Sequence, residues 1–220
     1  MVMKNKTTRY VLVLFIAVLV LAGCLSFKKK PAPLDFSGMN VSEENVSIIE
    51  YKGSAIGDPV PLWIQRSPAE LESGGEYPDR YVFRFEIRDA DLTALETQLG
   101  EYPFSQKASI AVHDRAWAKA GKISGISESF LDEAGRVLTA IEYMGARRCD
   151  DFWAYELLFD EEGEQTGERY RGWILVTVPQ AQVQAALELA HETAGSHQPP
   201  ANDRQTEARE ELLARFRLGL

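Results

Sequence analysis

The chain has 220 residues, of which 45% are hydrophobic, 26% charged and 10% aromatic. Glycine (16 residues), proline (10) and cysteine (2) are too scarce for a collagen-like, low-complexity or disulfide-stapled chain. The net charge is −9, and removing the three basic residues of the first 23, which include no acidic residue, makes it −12. A globule this acidic repels phosphate backbones, which argues against nucleic acid as a partner.

The amino terminus has the pattern of an export signal. Residues 1–10 carry Lys4, Lys6 and Arg9, and residues 11–22 (VLVLFIAVLVLA) are apolar and uncharged. This run is shorter than the roughly 20 residues that a membrane-spanning helix needs, but it suits the core of a signal peptide. The sequence therefore predicts a signal peptide over residues 1–23.

The end of this signal resembles the lipobox of bacterial lipoproteins, since Leu21-Ala22-Gly23-Cys24 matches all four of its positions. The resemblance implies a diacylglycerol on the Cys24 thiol, cleavage between Gly23 and Cys24, and an acyl chain such as palmitate on the new amino group. Three acyl chains exceed the two signals that stable anchoring requires. An ordinary secretory signal and an uncleaved anchor helix are the alternatives.

The resemblance also implies a place in the bacterial cell envelope. Leu25 stands where some bacteria have an aspartate that retains lipoproteins in the inner membrane, so the outer membrane is favoured. Residues 24–45 mix proline, serine and charge and are predicted to be a lipidated tether. Within it, Lys28, Lys29 and Lys30 either contact anionic headgroups or remain solvated.

The remaining chain alternates between strand and helix patterns, with period-two alternation clearest in RYVFRFEIR (80–88) and helical spacing clearest in 127–143. The predicted elements, in chain order, are a strand at 46–51, an extended segment at 59–64, a polar loop at 70–78, a strand at 80–88, helices at 91–99, 105–120 and 127–143, two strands at 152–159 and 170–178, a helix at 179–194, a break at 195–202 and a helix at 203–218.

This order predicts an α+β fold, with a small antiparallel sheet of three to four strands covered by helices on one face. We expect an α+β domain over residues 46–195. Residues 196–220 are expected to form a linker and a carboxy-terminal amphipathic helix.

A second resemblance rests on the stretch Tyr143–Trp153 (YMGARRCDDFW), on the hairpin that ends in Trp173–Pro179, and on Pro61–Ile64. These features are similar to the uncharacterised twenty-kilodalton bacterial surface lipoproteins, over residues 59–194. The resemblance implies a dodecin-like arrangement of sheet and helices and supplies no catalytic residues. The charged segment 86–91 departs from the glycine- and alanine-rich turn that is usual in the family.

No motif nominates a reaction. Cys149, the second cysteine, is interpreted as a small residue packed at a strand entrance, with an intermolecular disulfide or catalysis as alternatives. The histidines at 113, 191 and 197 lack metal-site spacing, and the acidic run at 160–164 is typical of a solvated hairpin tip, with weak calcium binding as the alternative. We therefore expect neither a metal nor another cofactor, and no enzymatic activity.

The four tryptophans are expected in the core, unless Trp63 lies with Trp153 or Trp173 in an exposed patch that binds a protein partner or carbohydrate. The function predicted is a non-enzymatic, membrane-anchored envelope lipoprotein with an interaction or structural role, whose domain contacts an envelope protein or the cell wall. The alternative is a module that binds a small ligand or lipid in a cavity between the sheet and the helices.

Overall fold

A computed structural model of the protein describes residues 45–121 and 123–220. The predicted signal peptide, Cys24 and the lysines at 28–30 lie outside these residues. None of the helices within them combines the length and apolarity needed to cross a bilayer. The elements are β1 (Asn45–Tyr51), a 3-10 turn (Ser54–Ile56), α1 (Leu62–Gln65), α2 (Pro68–Ser73), β2 (Arg80–Asp89), α3 (Leu92–Gly100), α4 (Phe104–Ala120), α5 (Glu128–Ala140), β3 (Arg147–Phe159), β4 (Gln165–Pro179), α6 (Gln180–His197) and α7 (Asp203–Arg217).

The four strands form one antiparallel sheet in the order β1-β3-β4-β2. The tip of the β3–β4 hairpin is closed by the Asp160 N–H, which donates to the Glu164 carbonyl at 3.0 Å, and the acidic side chains of this tip are largely exposed. The α+β fold with a small antiparallel sheet and helices is therefore confirmed.

The main core lies between one face of this sheet and helices α3 to α7. Alternate residues of β4, namely Ile174, Val176 and Val178, are fully buried there. In β2, Tyr81 and Phe83 occupy the same face, as the period of two in the sequence predicts. The apolar residues of the amphipathic pattern predicted for α5, including Phe130, Ala134 and Leu138, also pack in this core.

The opposite face of the sheet is covered as well, which the sequence analysis did not predict. Trp173 and Leu175 of β4 point to this side and are 1% and 0% exposed. Val82, an apolar residue on the otherwise polar face of β2, also lies on this side. Its N–H donates to the Glu72 carboxylate of α2 at 2.8 Å. Arg84 donates to three carbonyls around α1, including that of Ile64 at 3.1 Å.

The two short helices on this face correct two predictions. The segment 59–64 was expected to be extended, but α1 begins within it at Leu62. The segment 70–78 was expected to be a loop, but α2 runs from Pro68 to Ser73. Ser67 and Glu70 form a reciprocal capping box, and proline suits the first helical position, which together start α2.

On the same second face of the sheet, next to the apolar residues, lies a group of buried charged side chains. Glu156 of β3 lies opposite Arg169 of β4 in the register, and its carboxylate is 2.8 Å from the Arg169 Nε and 3.1 Å from the Arg171 Nε. The side chains of Glu156 and Arg171 are each 2% exposed. Buried charges persist where they are paired in this way.

Three helix ends differ from prediction. Helix α4 begins at Phe104 and has no side-chain cap, although Ser105 was expected to start it. Helix α5 ends at Ala140 instead of continuing to Tyr143. Helix α6 continues to His197, so the boundary predicted between residues 195 and 196 falls inside a helix.

The carboxy-terminal helix α7 packs on the domain through Leu212 and Phe216, which are 1% and 3% exposed and belong to the main core. Three helices meet beside it. The Arg209 guanidinium of α7 lies 4.2 Å from the ring centroid of Phe130 in α5, and His191 of α6 contacts the same ring edge-on at 5.5 Å. The His191 Nε2 is 3.2 Å from the Arg209 carbonyl.

This three-helix contact predicts a pH dependence. Burial is the main cause that lowers the pKa of His191, opposed by the hydrogen bond to the Arg209 carbonyl. Because the folded pKa lies below the unfolded value of about 6.5, the neutral ring contributes stability above that pH and loses it as the pH falls toward the folded pKa.

Between about pH 7.5 and about pH 5.5, the wild-type chain should lose more unfolding free energy than His191→Gln, which does not titrate. Urea unfolding of both chains at the two pH values measures the difference. Equal losses of unfolding free energy in the two chains would contradict the lowered pKa of His191.

Candidate interaction surface

The early end of α5 leaves a connection, Ile141–Ala146, that is held from three sides. The Ser109 hydroxyl of α4 donates to the Ile141 carbonyl at 2.6 Å. The Gly145 N–H donates to the Gln182 side chain of α6 at 2.9 Å, and the Gly145 carbonyl accepts from Arg80 of β2 at 2.6 Å. Helices α4 and α6 and strand β2 therefore fix the position of this connection.

Gly145 is required by close packing. A Cβ atom at this position would lie 2.6 Å from the Pro179 Cγ, at the junction of β4 and α6. This distance is well below van der Waals contact. The glycine therefore allows the connection to approach the start of α6.

Two open clefts flank the connection, with volumes of about 410 Å³ and 320 Å³. The first lies between the start of α4 and the end of α5, and the second lies between the connection and α6; Ile141 and Glu142 line both. The remaining lining residues of the first cleft are Tyr102, Pro103, Phe104, Ser105, Gln106, Ser109, Thr139 and Ala140, and those of the second are Tyr143, Met144, Gln182, Ala185, Ala186 and Leu189.

The second cleft carries apolar side chains that face solvent. Met144 is 93% exposed and Leu189 is 51% exposed. Clustered exposed apolar side chains mark interaction sites more often than single ones do. We call the two clefts together with Met144 and Leu189 the interaction surface.

Two tyrosines that line the clefts are perturbed by burial. Burial raises the pKa of Tyr102 and of Tyr143. Tyr143 is 3% exposed, and its hydroxyl has no hydrogen-bond partner in the described part of the chain. Both phenols therefore stay protonated at neutral pH and act as uncharged groups.

The exposed aromatic patch, which the sequence left open as the alternative to a core position, does not form. Trp63, Trp153 and Trp173 are 6%, 8% and 1% exposed, so they do not form an exposed surface. Their side chains also lie on opposite sides of the sheet, because Trp153 belongs to the main core whereas the Trp63 Nε1 donates to Asp150 on the other face at 2.8 Å. These side chains are packing residues, because both faces of β4 are covered.

Cys149 lies at a bulge in β3 and is exposed, so the interpretation as a packed residue is wrong. Its Sγ is 3.4 Å from the Thr177 Oγ1. Arg80 donates to the same hydroxyl at 2.8 Å, and its pKa is lowered by burial and, less, by the charge of Arg147. The disulfide and catalytic alternatives for Cys149 stay predictions.

The three histidines do not come together. His113 stacks on Trp117 with ring centroids 4.4 Å apart, and the His197 Nδ1 lies 2.7 Å from a Glu133 carboxylate oxygen. His191 lies elsewhere, in the contact between three helices described above. Among residues 45–121 and 123–220, no three His, Cys, Asp or Glu side chains are grouped so that they could hold a metal ion.

The interaction surface itself was missed by the sequence analysis. Its lining comes from helices α4, α5 and α6, from the connection Ile141–Ala146 and from Tyr102 and Pro103 before α4, and no strand residue contributes. A local signal existed only for Leu189, which lies off the apolar stripe of α6 formed by Val183, Ala186, Leu187 and Ala190. Met144 stands in a short connection, where no period distinguishes an exposed side chain from a buried one.

Comparisons of the chain with protein-family models, with curated proteins and with solved structures found no match. The resemblances to bacterial lipoproteins and to the twenty-kilodalton surface lipoproteins, with its dodecin-like arrangement, therefore stay predictions from the sequence.

The hydrogen bond from Ser109 predicts how the connection responds to mutation. Ser109→Ala leaves the Ile141 carbonyl without this donor and should lower the unfolding free energy by about 0.5–1.5 kcal/mol. Amide hydrogen exchange should also accelerate in residues 141–146.

Ser196→Ala is the matched control, because that exposed hydroxyl donates only to the Thr193 carbonyl of its own helix. Unchanged exchange in residues 141–146 of the Ser109 variant would contradict the role of this hydrogen bond.

Proposed function

We propose that this chain is a lipid-anchored protein of the bacterial cell envelope, with the outer membrane as its destination, and that its α+β domain binds another envelope component without catalysing a reaction. The single observation that carries the proposal is Leu21-Ala22-Gly23-Cys24 at the end of a short apolar run. Acyl chains on Cys24 would anchor the chain, at about 0.8 kcal/mol for each buried methylene.

The tether length supports an interaction role. Twenty-one peptide units separate Cys24 from Asn45, where β1 begins, and they span at most about 75 Å when extended. Such a reach would let the domain meet partners well away from the headgroups. Lys28, Lys29 and Lys30 would stay close to the membrane, where each can add about 1 kcal/mol of attraction to anionic lipids.

The interaction surface supports a docking role for the domain. Met144 and Leu189 project apolar side chains beside a cleft, and Glu142 and Gln182 supply polar groups at the same place. Since three elements hold the connection in place, the surface is formed before any partner arrives. Preformed surfaces bind with a smaller entropic cost.

A second candidate function is the binding of a small ligand or lipid. The observation that favours it is the volume of the two clefts, about 410 Å³ and 320 Å³, which lies in the usual range for ligand sites. These clefts are open and lie at the helix ends, which differs from the cavity between sheet and helices that the sequence analysis envisaged.

Replacement of the lipidated cysteine tests the anchor. Cys24→Ala should leave an uncleaved precursor that takes up no labelled palmitate, because the thiol that accepts the diacylglycerol is missing. Cys149→Ala, the matched control, should be labelled and cleaved like the wild-type chain. Labelling of the Cys24 variant, or an unlabelled wild-type chain, would overturn the anchor.

Site-specific crosslinking tests the docking role. A photo-crosslinking amino acid at position 144, introduced into the full chain in intact cells, should give a discrete crosslinked band that Leu189→Asp removes, because a charge there opposes apolar contact. The control position is Ile56, which is 81% exposed on a different element. Identical patterns from positions 144 and 56 would contradict docking at the interaction surface.

A further inference from the structure

One side of strand β3 is only partly paired. Strand β1 pairs with β3 between Ala154 and Phe159, and Lys52 continues this contact by donating its N–H to the Trp153 carbonyl at 3.0 Å. Before that point β3 pairs with β4 alone among the described residues. The segment Arg147–Asp151, which we call the edge segment, therefore lies along an open side of the sheet.

The edge segment has the sequence RRCDD, with two arginines before Cys149 and two aspartates after it. Arg147, Cys149 and Asp150 are exposed. The bulge at Cys149 changes the register, so that Arg147 lies opposite Thr177 and Asp150 lies opposite Leu175. Thr177 and Leu175 point to the same face, and so the exposed Arg147 and Asp150 also share one face of the sheet.

This order of charges is complementary to itself. In a two-fold symmetric contact, residue i of one copy meets residue j of the other, and j meets i. Because of the bulge, Arg147 and Asp150 lie one register position to either side of Val176. A two-fold axis through the bulge therefore brings Arg147 of each copy next to Asp150 of the other. Two pairs of opposite charge then flank the axis, while the internal ion pair between Arg148 and Asp151, at 2.7 Å, is retained.

We propose that the edge segment is a contact between two copies of this chain, with Arg147 of each copy facing Asp150 of the other and the two Cys149 residues adjacent at the axis, where each thiol rotates from Thr177 toward its counterpart. The contact is short. The Asp151 N–H is already bonded to the Asp150 carboxylate at 2.8 Å, and its carbonyl to the Lys52 Nζ at 3.2 Å, so a strand ladder cannot extend past this residue.

A contact of this length buries much less than the roughly 1,200 Å² of a stable interface and is weak and salt-sensitive without a covalent bond. A disulfide oxidant can convert it to a covalent dimer. The two Cys149 thiols lose their protons, one S–S bond forms between them, and two electrons reduce the oxidant disulfide to two thiols. This step does not involve Cys24 and is independent of the lipid anchor.

The test uses the full chain with Cys24→Ser, purified in non-ionic detergent, in which Cys149 is the only thiol. Oxidised glutathione is the oxidant, and a non-reducing gel with intact mass measurement follows the covalent dimer. At low salt the dimer should form readily. In about 1 M NaCl, where the Debye length falls to about 3 Å, its formation should slow toward the rate of a charge-disrupted variant.

Arg147→Asp should slow dimer formation by about fivefold to thirtyfold, because each contact then places like charges together. The swapped variant Arg147→Asp with Asp150→Arg restores opposite charges and should regain most of the rate. Arg204→Glu, on an exposed position of α7 with the same change in net charge, is the control and should dimerise like the parent.

Thermal melting checks that each variant is folded, since Asp150 also accepts from Trp63. A chain that stays monomeric or forms only a glutathione adduct overturns the proposal. So does a dimer that forms as fast in Arg147→Asp as in the parent, and as fast in about 1 M NaCl as at low salt. The comparison of Arg147→Asp with Arg204→Glu at one salt concentration decides the question even where Asp150→Arg disturbs folding, because both variants change the net charge equally.

Discussion

The structure depends on the burial of strand β4 on both faces. Residues 171–178 of this strand are all buried, so neither face of the sheet there can be left to solvent. Helices α3 to α7 cover one face and form the main core. The other face requires its own cover, which α1 and α2 provide next to Arg84 and Val82 of β2. The tryptophans are consequently packing residues, and the exposed aromatic surface that the sequence allowed does not form.

Polar groups on the second face follow from the same constraint. Where the apolar cover of α1 ends, Arg84 satisfies the carbonyls of its last turn, and farther along the sheet Glu156 pairs with Arg169 and Arg171. An unpaired carboxylate at that depth would be strongly destabilising. These charges are therefore part of the structure of the domain, and the chemistry that faces solvent lies elsewhere, at the helix ends and along the open side of β3.

The two surfaces proposed for binding lie where regular elements stop. The interaction surface exists because α5 ends at Ala140 and leaves a connection that α4, α6 and β2 hold in place. The edge segment exists because β1 is much shorter than β3 and pairs with only its second half. A tethered domain with one apolar surface and one self-complementary charged edge would be able to bind a partner and a second copy separately.

The sequence by itself determined the elements with long, regular patterns. Alternation predicted β2, helical spacing predicted α5, and the order of elements predicted an α+β fold, because both periods follow from local backbone geometry. The capping box at Ser67 and Glu70 is a local sequence signal for α2, although this segment was predicted as a loop. Helix α1 has four residues, too few for any period. Which side of each strand is covered, where the clefts open and why Cys149 is exposed depend on contacts between segments far apart in the chain, and only the tertiary structure decided them.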